Sequence, residues 1–231
     1  MKKTSLIASI IIITKDQRRF LERSLPIIFS QTIKNIEVIL IDSSVKENYQ
    51  VLFTKYPVKI IKIDPKTFNY SVAANKGAML ARGKFLVRLS GDAVPVNKIW
   101  LASLLSNFKN KKVGGVYSRW INDSNSNYFD RYINFLAMRK HKIVFTKAPN
   151  WNSASGALRK ELWQTHPFNE KLNFCEDWEW SMKIQKDGYT IVYEPTSVVF
   201  HSHNENILQI GIRGFKIIVA LIKIYAPLDI I

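Results

Sequence analysis

The first clear apolar run, Ile10-Ile11-Ile12-Ile13, is β-branched and does not alternate with polar residues. A strand covered on both faces reads this way, because both of its faces must be apolar. From Lys15 the spacing becomes helical, through Phe20, Leu21, Ser24 and Ile28, which completes a strand-helix unit. The same grammar repeats in Ile36 to Asp42, in Val58 to Ile63 and in Phe85 to Leu89, with a polar turn and a short helix after Asp42. Strands alternating with helices predict one open α/β domain with a mostly parallel central sheet flanked by helices.

Ser71 to Arg82 carries Val72, Ala73, Asn75, Ala78, Met79 and Ala81, a small-residue helix that packs closely and stops at Gly83. From Trp120 to Asn150 the pattern turns irregular, polar and aromatic, which predicts a mobile, substrate-facing segment with a helix around Tyr128 to Lys140. An acidic-aromatic helix follows from Cys175 to Lys186, stopped by Asp187-Gly188, and then strand-like segments at Thr190 to Tyr193 and Val198 to His201. The stretch from Ile207 to Ile224 is apolar, with Arg213, Lys216 and Lys223 set into it. It reads either as an amphipathic helix on an anionic membrane surface or as a helix packed on its own domain.

Composition narrows the class. With 231 residues, 47% of them hydrophobic, the chain supports one full domain. One cysteine, Cys175, excludes an intramolecular disulfide framework, and no Cys/His cluster offers a zinc site, so a reducing compartment is expected. The start, Met1-Lys2-Lys3 before Leu6 to Ile13, imitates a secretory leader but ends in Thr14-Lys15-Asp16 without a small-residue cleavage site, and reads as a buried strand. No run approaches the ~20 apolar residues of a spanning helix. A net charge of +16 attracts polyanions of any kind. The basic residues are scattered, however, and match no nucleic-acid-binding spacing, so no nucleic-acid partner is expected.

Open α/β sheets bind ligands beyond the carboxyl ends of their strands, where Thr14, Asp42 and Ser90-Gly91-Asp92 fall. Two carboxylates and hydroxyls suit a nucleoside and a hard divalent cation held through oxygen. The turn after the first strand has no glycine, so neither a GxGxxG dinucleotide site nor a P-loop is present. Glu176-Asp177-Trp178-Glu179-Trp180 sets three acids beside two indoles, where a raised pKa and a general base arise, or where acids simply complement a helix dipole. His201-Ser202-His203 follows a strand and offers imidazole to a metal or a diphosphate. Trp151, in the loop Trp151 to Ala157, offers an indole face to a sugar ring or anchors that loop in the core.

Taken in order, Ser9 to Thr14, Glu37 to Ser44, Asn75-Lys76-Gly77-Ala78, Ala81-Arg82-Gly83, Ser90-Gly91-Asp92 and Glu176 to Trp180 resemble glycosyltransferase family 2. The likeness runs from about Ala8 to about His203. Phe68, Asn75 and Ser90-Gly91-Asp92-Ala93-Val94-Pro95 resemble its bacterial rhamnosyltransferase-like branch. The resemblance implies a GT-A fold and inverting transfer of a sugar, with rhamnose leading, from a nucleoside-diphosphate sugar. The acceptor would be a hydroxyl of a glycan or lipid-linked glycan, in synthesis of bacterial surface polysaccharide.

On that resemblance Thr14, Asp42, Asn75 and Ser90 are expected on the donor, with Asp92 and His201 on Mg²⁺ or Mn²⁺. Asp177, with Glu176 beside it, is expected as the base, and Trp151 and Trp178 on the acceptor side. Ser90 stands where the family's Asp-x-Asp has its first carboxylate, which weakens the metal motif. The transferase domain is expected over 1–203 and an apolar, basic helical tail over 204–231. Localisation is expected to be cytoplasmic, on the inner face of the membrane where the tail makes peripheral contact. A metal-dependent hydrolase of nucleotide sugars or phosphoesters shares these carboxylates and is the alternative reading; it would consume donor with water alone.

Overall fold

A computed structural model describes residues 5–46, 49, 52, 54–128, 131, 132, 138–147, 151–202 and 205–225. Strand β1 (Ala8–Thr14) is buried along its whole length, as its unbroken apolar run requires. Ile10 and Ile12 point into one core cluster and Ile11 and Ile13 into a second on the opposite face. Each fully buried isoleucine contributes roughly 1.5–3 kcal/mol, so this strand alone ties the two layers of the molecule together.

Helix α1 (Arg18–Phe29) covers the first face with Leu21, Ser24, Leu25 and Ile28, a helical stripe that meets Ile10 and Ile12. Strand β2 (Ile36–Asp42) pairs in parallel with β1, so that Thr14 lies opposite Asp42. Strand β3 (Val58–Lys62) adds outside β2. Helix α2 (Tyr70–Leu80) begins at Asn69, whose side chain accepts the amides of Ser71 and Val72 as an N-cap, and its Ala73, Ala74 and Ala78 lie in the second cluster with Ile11. Strand β4 (Phe85–Ser90) pairs in parallel with the other side of β1, which brings Ser90 opposite Ile13.

The remaining elements complete the sheet. They are β5 (Val94–Pro95), α3 (Trp100–Ser106), β6 (Val113–Ile121), β7 (Ile143–Phe145), β8 (Ser155–Arg159), α4 (Lys160–Thr165), α5 (Glu176–Lys186), β9 (Thr190–Phe200) and α6 (Ile207–Tyr225). Among the described residues the sheet has nine strands in the order β3-β2-β1-β4-β8-β6-β9-β5, with β7 paired to β9. β8 runs antiparallel to β4 and β6, while β6 and β9 are parallel to each other. The carboxyl ends of β1, β2, β4, β6 and β9 therefore share one edge.

Two expectations change. The irregular stretch from Trp120 is entered by β6, which continues through Ile121, and contains β7; the helix drawn around Tyr128 to Lys140 falls mostly outside the described residues. The two segments at Thr190 and Val198 form one strand, because a register shift opposite Ser118/Arg119 absorbs the extra residues. Three buried serines, Ser118, Ser155 and Ser197, join β6, β8 and β9 through hydroxyl contacts of 2.8 Å, and the Trp100 indole donates to Ser155 at 3.0 Å. Helix α6 has Ala220 as its buried residue, while Leu208, Ile212, Phe215, Ile218 and Ile222 stay exposed. Among the described residues no helix is long and apolar enough to cross a membrane.

Candidate functional site

Thr14, Asp42 and the Ser90-Gly91-Asp92 turn converge at the shared strand edge because β1, β2 and β4 are adjacent and in register. Gly91 is needed there: a Cβ would lie 2.7 Å from Thr14 Oγ1 and 2.2 Å from Gln17 Oε1. The glycine therefore lets the turn close onto the end of β1. Asp42 is fully buried, with one oxygen accepting the Ser44 amide at 2.8 Å and the other ion-paired with the exposed Lys62 ammonium.

The Ser90 hydroxyl donates to Asp92 Oδ1, and His201 Nδ1 lies 3.3 Å from the same oxygen. The imidazole is buried and packs edge-on against Trp120 at 5.0 Å. Among the described residues no group of three or more His, Cys, Asp or Glu side chains is placed to hold a metal ion. A carboxylate with an adjacent imidazole nevertheless fits a hard divalent cation of the Mg²⁺ kind, which takes one or two protein ligands and completes its shell with substrate phosphate and water. His203 lies outside the described residues.

The loop at 152–154 connects this turn to the acidic helix. The Ser90 amide donates to the Ala154 carbonyl at 2.9 Å, and the Ser153 amide donates to Asp177 Oδ2 at 3.0 Å. Within the loop, the Asn152 side chain accepts the Ala154 amide at 2.9 Å. Trp151 anchors it from beneath: the indole is fully buried, donates to the Val116 carbonyl at 3.0 Å and packs on Phe168 and Trp180. Gly156 permits this fold-back, since a Cβ would meet the Trp151 ring at 2.9 Å. The expectation of Trp151 on the acceptor side is thereby corrected. Its faces are covered by protein, and of its two readings the structure selects the core anchor. Trp178 is half-buried and retains accessible surface.

At the start of α5, Cys175 adopts a left-handed conformation with φ 60°, which turns the chain so that Glu176 and Asp177 enter the first helical turn. Glu176 is buried and ion-paired at 2.8 Å with the equally buried Arg88 of β4. Burial first, and the neighbouring Glu176 charge second, push Asp177 from an ordinary 3.8 up to about 6. The helix dipole works the other way, but its typical 0.3–1 kcal/mol is smaller than the ~3 kcal/mol that such a rise represents. Desolvation wins, and Asp177 becomes a carboxyl that titrates near neutrality.

Three of the participating residues escape a reading of motifs. Arg88 carried a usable signal, a lone cation inside the apolar strand Phe85-Leu86-Val87-Arg88-Leu89, which demands a buried partner. Tyr70 carried none; its hydroxyl is raised by burial and then by the charges of Asp92 and Glu176. Ser153 acts through its backbone. Asn75, expected on the donor, commits its carboxamide inside the protein. It donates to the Phe168 carbonyl and Glu170, and accepts from the Trp163 indole and the Phe168 amide, at 2.8–3.1 Å.

Comparison with known proteins identifies the family and the fold. A family model described as Glycosyl transferase family 2 matches residues 9–186. The O-antigen chain rhamnosyltransferase WbaN of Salmonella anatum is 29% identical over 185 residues, covering 75% of this chain and 59% of that protein. RfbN of Salmonella typhimurium, also an O-antigen chain rhamnosyltransferase, is 25% identical over 186 residues with the same coverage. The match thus spans 59% of the length of these curated relatives. Among solved structures, the mannosyltransferase PcManGT from Pyrobaculum calidifontis, in complex with GDP-Man and Mn²⁺, superposes with a TM-score of 0.73 at 17% identity, over 97% of this chain and 64% of that one. GalNAc-T7 with UDP, GalNAc and Mn²⁺ gives 0.67 at 17% identity, over 87% and 45%. At these identities the likeness concerns the fold.

Proposed function

The chain belongs to glycosyltransferase family 2, and from that premise we propose that it transfers a sugar, rhamnose first, from a nucleoside-diphosphate sugar to a hydroxyl of a glycan or lipid-linked glycan. The reaction inverts the anomeric centre and serves the building of bacterial surface polysaccharide. The observation that carries this reading is the loop at 152–154, which holds the Asp177 carboxylate on one side and the Ser90-Gly91-Asp92 turn on the other.

Thr14 and Asp42 hold the nucleoside, with Lys62 adding a cation to that end. Asp92 and His201 hold Mg²⁺ or Mn²⁺, which when bound neutralises charge on the departing nucleoside diphosphate. Ser90, through its hydroxyl, fixes the Asp92 carboxylate in place of the missing first acid. Asp177 removes the proton from the acceptor hydroxyl as it attacks the anomeric carbon from the face opposite the leaving group. A pKa near 6 keeps Asp177 ionised at neutral pH yet basic enough to receive that proton. Glu176 positions the base: its pairing with Arg88 fixes the helix start, and its charge raises the neighbour. Asn75 positions the segment at Phe168 and Glu170, and the half-buried Trp178 faces the acceptor.

The transferase unit occupies 1–203, and the tail at 204–231 provides peripheral contact with the inner membrane face. The exposed row of Leu208, Ile212, Phe215 and Ile222 on α6 supports that role.

The test is thermal unfolding with Mn²⁺ or Mg²⁺ across a panel of nucleoside diphosphates and nucleotide sugars, on the natural protein and on Asp92→Ala. A nucleotide at about 100 times its Kd adds about 2.7 kcal/mol. One nucleotide should give that shift, require metal and lose it in Asp92→Ala. No shift with any nucleotide removes the donor-site assignment.

A further inference from the structure

Strand β5 is short, and its pairing of Val94 with Phe200 sets the Asp92 turn beside His201. The main chain of His201 is fixed, its amide donating to the Ile121 carbonyl at 3.0 Å. An imidazole on a fixed backbone still turns about its side-chain torsions, and the atom it presents decides whether it can serve a cation together with Asp92. The 3.3 Å approach of Nδ1 to Asp92 Oδ1 is long for a hydrogen bond, and that oxygen also accepts from the Ser90 hydroxyl. This contact by itself restrains the ring loosely.

Trp120 supplies a second restraint. Its indole stands edge-on to the imidazole, with ring centres 5.0 Å apart and planes at 77°, an arrangement that aromatic pairs favour. Strand pairing explains why it reaches. Ser118 lies opposite Glu194, and in that register Trp120 would face Thr196, well short of His201. The register shift between Ser118 and Arg119 instead sets Trp120 opposite Val199, and residues two apart on a strand share a face. The irregularity between β6 and β9 therefore aims this indole at His201. Trp120 is half-buried and forms part of the wall of a cavity of about 780 Å³. A shorter side chain there opens the space beside the imidazole to the cavity and leaves the ring free to turn.

We propose that Trp120 is a positioning residue for the metal side of the site, holding the His201 imidazole with Nδ1 turned to Asp92 and thereby setting the affinity for the divalent cation. The proposal rests on the transferase reading above, in which Asp92 and His201 hold Mg²⁺ or Mn²⁺. Ser90 gives this role its weight. It brings a hydroxyl where a second carboxylate would stand, so the cation depends on a histidine whose orientation the turn alone does not set. Groups that orient a metal-binding imidazole typically change metal affinity by about 10- to 100-fold.

The experiment follows Mn²⁺ by electron paramagnetic resonance, titrated into the intact protein with ADP, GDP, CDP, UDP or dTDP present in turn. It is repeated on Trp120→Leu, Trp120→Met, Trp120→Phe and His201→Ala, with unfolding midpoints in EDTA showing which variants are folded. Trp120→Leu and Trp120→Met should weaken Mn²⁺ binding by about tenfold or more, and whichever of the two folds decides the point. Trp120→Phe keeps an aromatic ring against the imidazole and should stay within about threefold of the natural protein. The spin-echo signal of bound Mn²⁺ should carry modulation from an imidazole nitrogen in the natural protein and in Trp120→Phe. That modulation should vanish in His201→Ala and shrink in Trp120→Leu and Trp120→Met, whereas a merely structural tryptophan would leave it intact. Unchanged affinity and modulation in the folded leucine or methionine variant, or no nitrogen modulation in the natural protein, overturns the proposal. If nucleotide and Mn²⁺ bind the natural protein and the Trp120 variants match it, the transferase reading stands and only the role of Trp120 falls. If no nucleoside diphosphate binds with Mn²⁺, the donor site falls and this proposal with it.

Discussion

Asp177→Asn should make the protein more stable at neutral pH while nearly abolishing turnover. In the folded protein the Asp177 carboxyl titrates at about 6, against about 4 in an unfolded chain. Between those values the folded state holds a proton that the unfolded chain has released. The contribution of this group to stability is therefore complete below about pH 4 and is lost as pH rises through 6. Above that, the fold carries an ionised carboxylate in a poorly solvated place, at a cost of up to about 3 kcal/mol.

Asparagine removes the charge but cannot accept on both atoms. Asp177 accepts the Ser153 amide on one oxygen and the Trp178 amide on the other, so one bond worth about 0.5–1.5 kcal/mol is lost. The net gain should be about 1–2 kcal/mol at pH 8, which raises Tm by several degrees for a chain of this size. At pH 4.5 the gain should vanish or reverse. Turnover should fall by about 10²- to 10⁴-fold, and activity of the natural protein should rise with pH through about 6. Thermal unfolding of both proteins from pH 4.5 to 8.5, with donor consumption measured in parallel, tests the argument. A variant less stable than the parent at pH 8, or a stability difference independent of pH, would refute the reasoning that burial and the Glu176 charge raise this carboxyl.

Arg88→Met should destabilise by about 3–5 kcal/mol in denaturant titration, because Glu176 is left buried without its cation, and Arg88→Met/Glu176→Gln should recover much of that loss. Trp151→Ala should cost about 3–5 kcal/mol of stability, since a fully buried indole is removed from the core, whereas Trp178→Ala should leave the unfolding midpoint within about 1 °C and raise the acceptor KM. Phe215→Glu should reduce co-sedimentation with vesicles of anionic phospholipid by about tenfold or more without shifting Tm; equal sedimentation of both proteins would dismiss the membrane role of α6.

The α/β alternation, the bounds of β2 and the placing of Thr14, Asp42 and Asp92 at strand ends were legible in the sequence because they depend on local periodicity. A β-branched run covered on both faces, or a helical stripe such as Leu21, Leu25 and Ile28, declares itself within a dozen residues. The ordered motifs identified the family by the same local evidence, and Glu176-Asp177 stood out as the acidic pair in an aromatic setting.

Other features arise from contacts between residues far apart in the chain, and only the tertiary structure decided them. Arg88 meets Glu176 across 88 positions, and Ser153 reaches Asp177 across 24, so neither the pairing nor the bridge between Asp177 and the Ser90-Gly91-Asp92 turn is written in a local pattern. Trp151 offered an indole to solvent or to the core with equal plausibility until Phe168, Trp180 and the Val116 carbonyl closed around it. The antiparallel β8 and the register shift between Ser118 and Arg119 depend on strand pairing, which carries no signature in the side chains of either partner alone. The sequence by itself determined which chemical groups the protein owns and at which strand ends they fall. Packing determined which of them stay wet, which are spent on holding the fold, and which carboxyl is desolvated enough to titrate near neutrality.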